Sequence, residues 1–275
     1  CGKSTLGKTL IRMYEPDAGK IYYKGEDITG KNANKLKSVQ NSMQIIFQDP
    51  YSSLNPFWNV EEILSEPLKK LKLEKSQMYE KIKTILNKVG MSEDDLIKFP
   101  YEFSGGQRQR IGIARALLVN PEFIMCDEPI AALDVSIQAQ VVNLLQDLQK
   151  ELGLTYLFTA HDLSMVRYIS NRIGVMYLGS MVEIANSKKL FERPLHPYTK
   201  ALLFAVPGPH PIKKNIKNKV KLSGEVSQIF DDSSACRFAP RCIYKTGICE
   251  KECPKLREIE DGHRVACHNA ESINS

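Results

Sequence analysis

The run Phe123-Ile124-Met125-Cys126 has an apolar side chain at every position and stops abruptly at Asp127-Glu128. A strand with one solvated face alternates polar and apolar residues, so an unbroken run reads as a strand buried on both faces. Short apolar runs at 43–47, 154–159, 173–177 and 181–184 read as further strands. Between them, Ile137, Val141, Leu144, Leu145 and Leu148 share one face at helical spacing. Alternation of such strands and helices predicts an α/β domain around a largely parallel sheet.

Two stretches break the alternation. Residues from about 55 to 103 are rich in Lys and Glu, with Ile82, Ile85, Leu86 and Val89 at helical spacing, and are expected to be a helical insertion. After Ala205 the pattern ends in Pro207, Pro209 and Pro211 and a lysine-rich stretch at 213–221. The expected organisation is a domain at 1–205 followed by a linker and a small cysteine-rich element at 206–275, which 275 residues can accommodate.

A hydrophobic fraction of 43% excludes a disordered chain. No stretch approaches the roughly 18 apolar residues of a membrane-spanning helix. The net charge of +6 is spread along the chain, without a basic face interleaved with aromatics. It permits an anionic partner without calling for nucleic acid. Of seven cysteines, Cys1 and Cys126 are isolated, while Cys236, Cys242, Cys249, Cys253 and Cys267 crowd together. That pattern reads as a metal site in a reducing compartment rather than a disulfide framework.

Three motifs bear chemistry. Gly2-Lys3-Ser4-Thr5 opens an apolar-periodic segment and matches the end of a phosphate-binding loop. There a glycine admits the phosphate oxygens, a lysine meets the β- and γ-phosphates and a hydroxyl ligates Mg²⁺. The chain begins inside this motif without Met, and is expected to be a fragment that binds ATP poorly as it stands. Asp127 and Glu128 form the second motif: an apolar strand delivers one carboxylate suited to Mg²⁺ and a second suited to polarising water. The third, Ser104-Gly105-Gly106-Gln107, opens a helix with Ser104 as its N-cap and two glycines exposing N–H groups to an anion.

In this order the motifs resemble the signature of ABC-type ATPase domains, a likeness that covers about residues 1–205. Gln48 matches that family's glutamine loop, Ala131-Ala132-Leu133-Asp134 its domain-contact loop and Thr159-Ala160-His161-Asp162 its switch histidine. Ala131 stands where family members usually have Ser, and Ala160 where they often do. The resemblance implies a P-loop fold, with a RecA-like core and a helical subdomain, working as a head-to-tail dimer with two ATPs at the interface. Gly2, Lys3, Ser4 and Thr5 would bind one nucleotide, and Ser4, Gln48 and Asp127 its Mg²⁺. Glu128, His161 and Gln48 would be catalytic. Ser104, Gly105, Gly106, Gln107 and Asp134 would close over the nucleotide held by the partner.

Phe47-Gln48-Asp49-Pro50, Ser53-Leu54-Asn55-Pro56 and Leu195-His196-Pro197-Tyr198-Thr199 are similar to the ATP-binding subunits of dipeptide and oligopeptide importers. His196, between Leu and Pro, reads as a packed turn residue rather than a ligand. The resemblance implies a place on the cytoplasmic face of the membrane, two transmembrane permease subunits and a second, different ATPase subunit. An extracellular peptide-binding protein and the membrane subunits, not this chain, would choose the substrate. Cys236, Cys242, Cys249 and Cys267, interspersed with Arg237, Pro240 and Arg241, are similar to those subunits' C-terminal region, where four cysteines can hold a [4Fe–4S] cluster, and the resemblance implies such a cluster here in a structural role. The spacing lacks paired C-x-x-C, which makes zinc the lesser alternative beside a metal-free tail; Cys253 either replaces Cys249 or stays free. A soluble ABC ATPase acting on nucleic acid is a competing class, disfavoured by a single motif set and no heptads. A weakly hydrolysing partner subunit is another, disfavoured because no motif is degenerate.

Overall fold

The computed structural model describes residues 2–30, 33–205 and 234–274; Cys1, the three prolines after Ala205 and the stretch 213–221 lie outside the described residues. The chain divides into two compact units, Ser4–His161 and Asp162–Ser275, the latter grouped with Cys1–Lys3.

In the first unit, helix α1 (Lys3–Leu10) precedes a hairpin of β1 (Tyr22–Tyr23) and β2 (Glu26–Asp27). Helix α2 (Ala33–Ser42) leads into β3 (Met43–Ile46). Helices α3 (Val60–Ser65), α4 (Lys75–Lys88) and α5 (Gly105–Leu117) follow, then β4 (Phe123–Asp127), α6 (Val135–Leu152) and β5 (Thr155–Thr159). Strands β3, β4 and β5 form a parallel sheet with β4 in the centre, which is why its apolar run is continuous: Ile124, Met125 and Cys126 have no exposed surface. Parallel pairing brings the carboxyl ends of all three strands to one edge, where Asp127 registers with Thr159. Helix α1 lies so close to β4 that a Cβ at Gly7 would collide with the Met125 side chain. This close approach sets Ser4 beside the end of β4.

The insertion at 55–103 is helical as expected. Asn59 caps α3 through a reciprocal pair with Glu62, and Val60, Ile63, Leu64, Leu68, Ile82 and Leu86 are all buried. Gly153, in the left-handed region (φ +66°), ends α6.

The second unit contains α7 (Leu163–Ile169), β6 (Arg172–Tyr177), β7 (Ser180–Asn186), α8 (Ser187–Glu192), α9 (Pro197–Ala205), β8 (Arg257–Glu260) and β9 (His263–Val265). Two sequence expectations need correction here. The strands at 173–177 and 181–184 do not extend a parallel sheet. They form an antiparallel hairpin, because the two-residue turn Leu178-Gly179 (φ +44° and +78°) allows no crossover. The cysteine-rich region is not a separate small element either. Strand β9 pairs with β7, giving the sheet order β6-β7-β9-β8, and Val265 shares a core with Leu195 and Ala270. The boundary at 205/206 thus differs from the division between compact units, which falls at 161/162.

A polar knot holds this sheet. Glu183 on β7 is fully buried, and its carboxyl oxygens accept from Leu195 N at 2.7 Å, His196 N at 3.0 Å and His263 Nε2 at 2.7 Å. His196 is a packed turn residue, 2% exposed, whose Nδ1 accepts from Tyr198 N at 3.0 Å. Burial pushes its pKa down to about 4, against the opposing charge of Glu183. Since the folded pKa lies below the unfolded value, the unfolded chain takes up the proton first as pH falls. Stability present above about pH 6.5 should be lost progressively as pH falls toward 4, by up to about 3 kcal/mol. Urea unfolding of this unit between pH 7 and 4.5 checks it; a midpoint independent of pH, or equally dependent after His196→Gln, would count against it.

Candidate functional site

The end of β4 gathers the polar groups. Ser4, in the first turn of α1, donates its hydroxyl to Asp127 Oδ1 at 2.7 Å, and Thr159 Oγ1 donates to the same oxygen at 3.1 Å. Lys8, one helical turn past Ser4, places Nζ 3.8 Å from Asp127 Oδ2. Asp127 and Glu128 are 3% and 6% exposed, an expensive place for two acids unless partnered. Glu128 is in the left-handed region (φ +48°), which non-glycine residues enter at a cost and which recurs at functional sites. Its N–H is held from β5 by Thr159 O at 3.1 Å and Oγ1 at 3.0 Å. That aims the side chain at His161, whose Nε2 lies 2.7 Å from Glu128 Oε1 and whose ring is 75% exposed.

The residues foreseen for phosphate contact surround this cluster in sequence. Gly2 (φ +87°) leads into Lys3, the first residue of α1, and both group with the second unit; Thr5 is exposed. Gln48 is exposed just past the end of β3. The donor set at Ser4 and Asp127, a hydroxyl beside a carboxylate, is the hard-oxygen pair suited to Mg²⁺, which keeps most of its water and asks little of the protein.

A second group lies at the start of α5. Ser104 accepts from Gln107 N at 3.3 Å, and Gln107 Oε1 accepts from Ser104 N at 3.0 Å, a reciprocal capping box. The glycines are needed for packing. A Cβ at Gly105 would stand 3.3 Å from Leu133, and one at Gly106 would collide with Ile137. Residues 104–107 therefore lie beside the loop that ends in Asp134, and Ser104, Gln107 and Asp134 are all exposed.

Sequence reasoning missed Lys8 and the part played by Thr159. Lys8 was legible as the i+4 neighbour of Ser4; Thr159 was quoted within its motif, but its partners depend on strand pairing.

All six described cysteines are free thiols. Among the described residues no three or more His, Cys, Asp or Glu side chains are placed to hold a metal ion, so the cluster foreseen at Cys236, Cys242, Cys249 and Cys267 finds no assembled ligand set. The four are nevertheless within electrostatic reach of one another. Burial first, then the charges of Cys242, Cys236 and Cys249, push the Cys267 thiol up to about 11. Cys236 is raised chiefly by burial and further by Cys249 and Cys242, and its N–H donates to Cys249 O at 2.9 Å. Among the described residues no helix is long and apolar enough to cross a membrane.

Residues 1–131 match the ABC transporter family, and residues 182–249 match the oligopeptide/dipeptide transporter C-terminal region. Two proteins of Bacillus subtilis strain 168 are similar along nearly the whole chain. The putative oligopeptide transport ATP-binding protein YkfD is 51% identical over 99% of this chain and 84% of its own length. The oligopeptide transport ATP-binding protein OppF is 50% identical over 98% and 84%. Among solved structures, cbiO1 from Clostridium perfringens, part of an ABC transporter complex, superposes with a TM-score of 0.64 at 29% identity, covering 70% of this chain and 75% of that one. The ATP-binding cassette MJ0796 bound to ADP and Pi gives 0.61 at 26% identity, covering 68% and 81%.

Proposed function

The chain belongs to the ABC transporter family, among its oligopeptide transport ATP-binding proteins, and from this we propose how its residues power peptide import. It is an ABC ATPase that drives uptake of dipeptides or oligopeptides through a membrane transporter. The observation that supports the residue roles best is the pairing of Ser4 with Asp127 at 2.7 Å beside that of Glu128 with His161 at 2.7 Å.

Ser4 and Asp127, with Gln48, would hold Mg²⁺, which when bound neutralises charge on the β- and γ-phosphates. Lys3 pairs with those phosphates, and Gly2 and Thr5 line their approach. Glu128, kept rigid by Thr159, polarises the attacking water. His161 meets the γ-phosphate, and its bond to Glu128 holds the ring ready at the edge of the site. Ser104, Gln107 and Asp134, which are exposed, would face the nucleotide of a second ATPase subunit, with Gly105 and Gly106 letting the start of α5 come close to it. We place the protein on the cytoplasmic face of the membrane, bound to two permease subunits and served by an extracellular peptide-binding protein, with a different ATPase as its pair.

The test is to isolate the full-length protein from gently solubilised membranes and identify what comes with it. Two multi-span proteins and a second ATPase are expected; ribosomes or nucleic acid in their place would discard the reading.

A narrower proposal concerns the tail: Cys236, Cys242, Cys249 and Cys267 hold a structural [4Fe–4S] cluster. Its support is that the Cys236, Cys242 and Cys267 thiols are all pushed up, by burial first and then by neighbouring cysteine charges, with Cys249 acting on each of the three, and that Cys236 N–H donates to Cys249 O at 2.9 Å. Thiolates crowded in a half-buried place repel, and bound iron would relieve that repulsion. Anaerobic preparation should yield about four iron and four sulfide per chain. Zinc alone, or no metal, would overturn it.

A further inference from the structure

Residues 49–54, which follow Gln48, fold back on themselves. Asp49 Oδ1 accepts from Tyr51 N at 2.9 Å, Ser53 N donates to Asp49 O at 3.3 Å and Ser53 Oγ donates to Pro50 O at 3.1 Å. Two arginines of α5 hold this folded loop. Arg115 Nη1 donates to Ser53 O at 2.6 Å. The Arg108 guanidinium lies over the Tyr51 ring, 5.2 Å from its centroid, while its Nε donates to Pro100 O at 2.9 Å. Two helical turns separate these arginines, so they lie on one face of α5 and pin the loop at two points along it.

Arg115 stands in the wall of a cleft of about 590 Å³ that also exposes Gln44, Phe47 and Glu66. Burial draws its pKa down and the Glu66 charge opposes this. A charged donor on a partly buried carbonyl makes a stronger bond than a neutral one, and stacking on Tyr51 adds a second attachment. The face of α5 that grips the loop begins one turn after residues 104–106. A rigid helix with attachments near both ends transmits a displacement instead of absorbing it.

We infer that Arg115, helped by Arg108, is a positioning residue that fastens the loop after Gln48 to α5, so that Gln48 and residues 104–106 shift together during ATP turnover. The inference rests on the ATPase reading above. It makes two side-chain contacts, Arg115 to the Ser53 carbonyl and Arg108 to the Tyr51 ring, the link between the group placed near one nucleotide and the group that faces the partner's.

The test uses the full-length protein and two readouts. Without nucleotide, Arg115→Met should speed hydrogen exchange of the Ser53 and Leu54 amides by about tenfold or more. In turnover it should lower kcat about tenfold with KM for ATP unchanged within about twofold, and Arg115→Lys, which keeps one donor, should restore kcat to within about threefold. Tyr51→Leu, at an exposed residue, covers the case in which Arg115→Met fails to fold. It should speed the same amides about threefold at unchanged KM. Unchanged exchange in both variants, kcat and KM shifting together, or Lys performing no better than Met would each overturn the inference. If the unaltered protein hydrolyses no ATP, the ATPase reading fails, and the nucleotide-free exchange still reports on the loop's attachment.

Discussion

A Glu128→Gln form of the complete protein is expected to bind ATP and Mg²⁺ with near-normal affinity yet release phosphate about 10²–10⁴ times more slowly. The substitution keeps the size of the side chain and a hydrogen bond toward His161, 2.7 Å away. It leaves Ser4, Lys8 and Thr159 on Asp127 undisturbed. What it removes is the carboxylate that draws a proton from water. The backbone at Glu128, left-handed and held by two acceptors on Thr159, should persist, so the loss is one of chemistry and not of folding. Phosphate release and nucleotide retention, measured on one preparation, separate these outcomes. The variant should also accumulate as an ATP-bound dimer on gel filtration. Undiminished turnover would sink the role given to Glu128.

Glu183→Ala should have the largest effect on stability. The fully buried carboxyl group satisfies two backbone N–H groups and the His263 ring, all of which the substitution would strand away from water. Breaking a buried charged contact of this kind costs about 3–5 kcal/mol, more than most single substitutions. The expected result is accelerated exchange of the Leu195 and His196 amides, with the C-terminal unit opening well below the free energy of the rest. Glu183→Gln, which keeps one acceptor, should cost less than half as much. Exchange of Leu195 and His196 within about threefold of the unaltered protein would show that the knot contributes little.

Much of this protein was legible before its structure. An all-apolar run ending in two acids can be little other than a central strand, and β4 is one, with Ile124, Met125 and Cys126 sealed from solvent. The helical periods at 137–148 and 82–89 named the buried faces of α6 and α4, because each face depends only on near neighbours in sequence. The ordered motifs named the family for a similar reason. Phosphate loops, capped glycine pairs and strand-end acids are local devices, and local chemistry is written in consecutive residues.

What the sequence could not contain was pairing. Periodicity tells which face of a strand is apolar but not which strand lies beside it, so the antiparallel union of β7 with β9 was invisible. With it went the bond between Glu183 and His263, 80 residues apart, and the merging of the cysteine-rich tail with the preceding sheet. Thr159 was equally hidden, since its hold on Asp127 and Glu128 follows from the register of β5 against β4. The sequence by itself determined the α/β class, the helical insertion and the residue types of the site. Only the tertiary structure decided which distant groups complete one another, because a hydrogen bond or a salt link is set by separation in space, and separation along the chain says almost nothing about it.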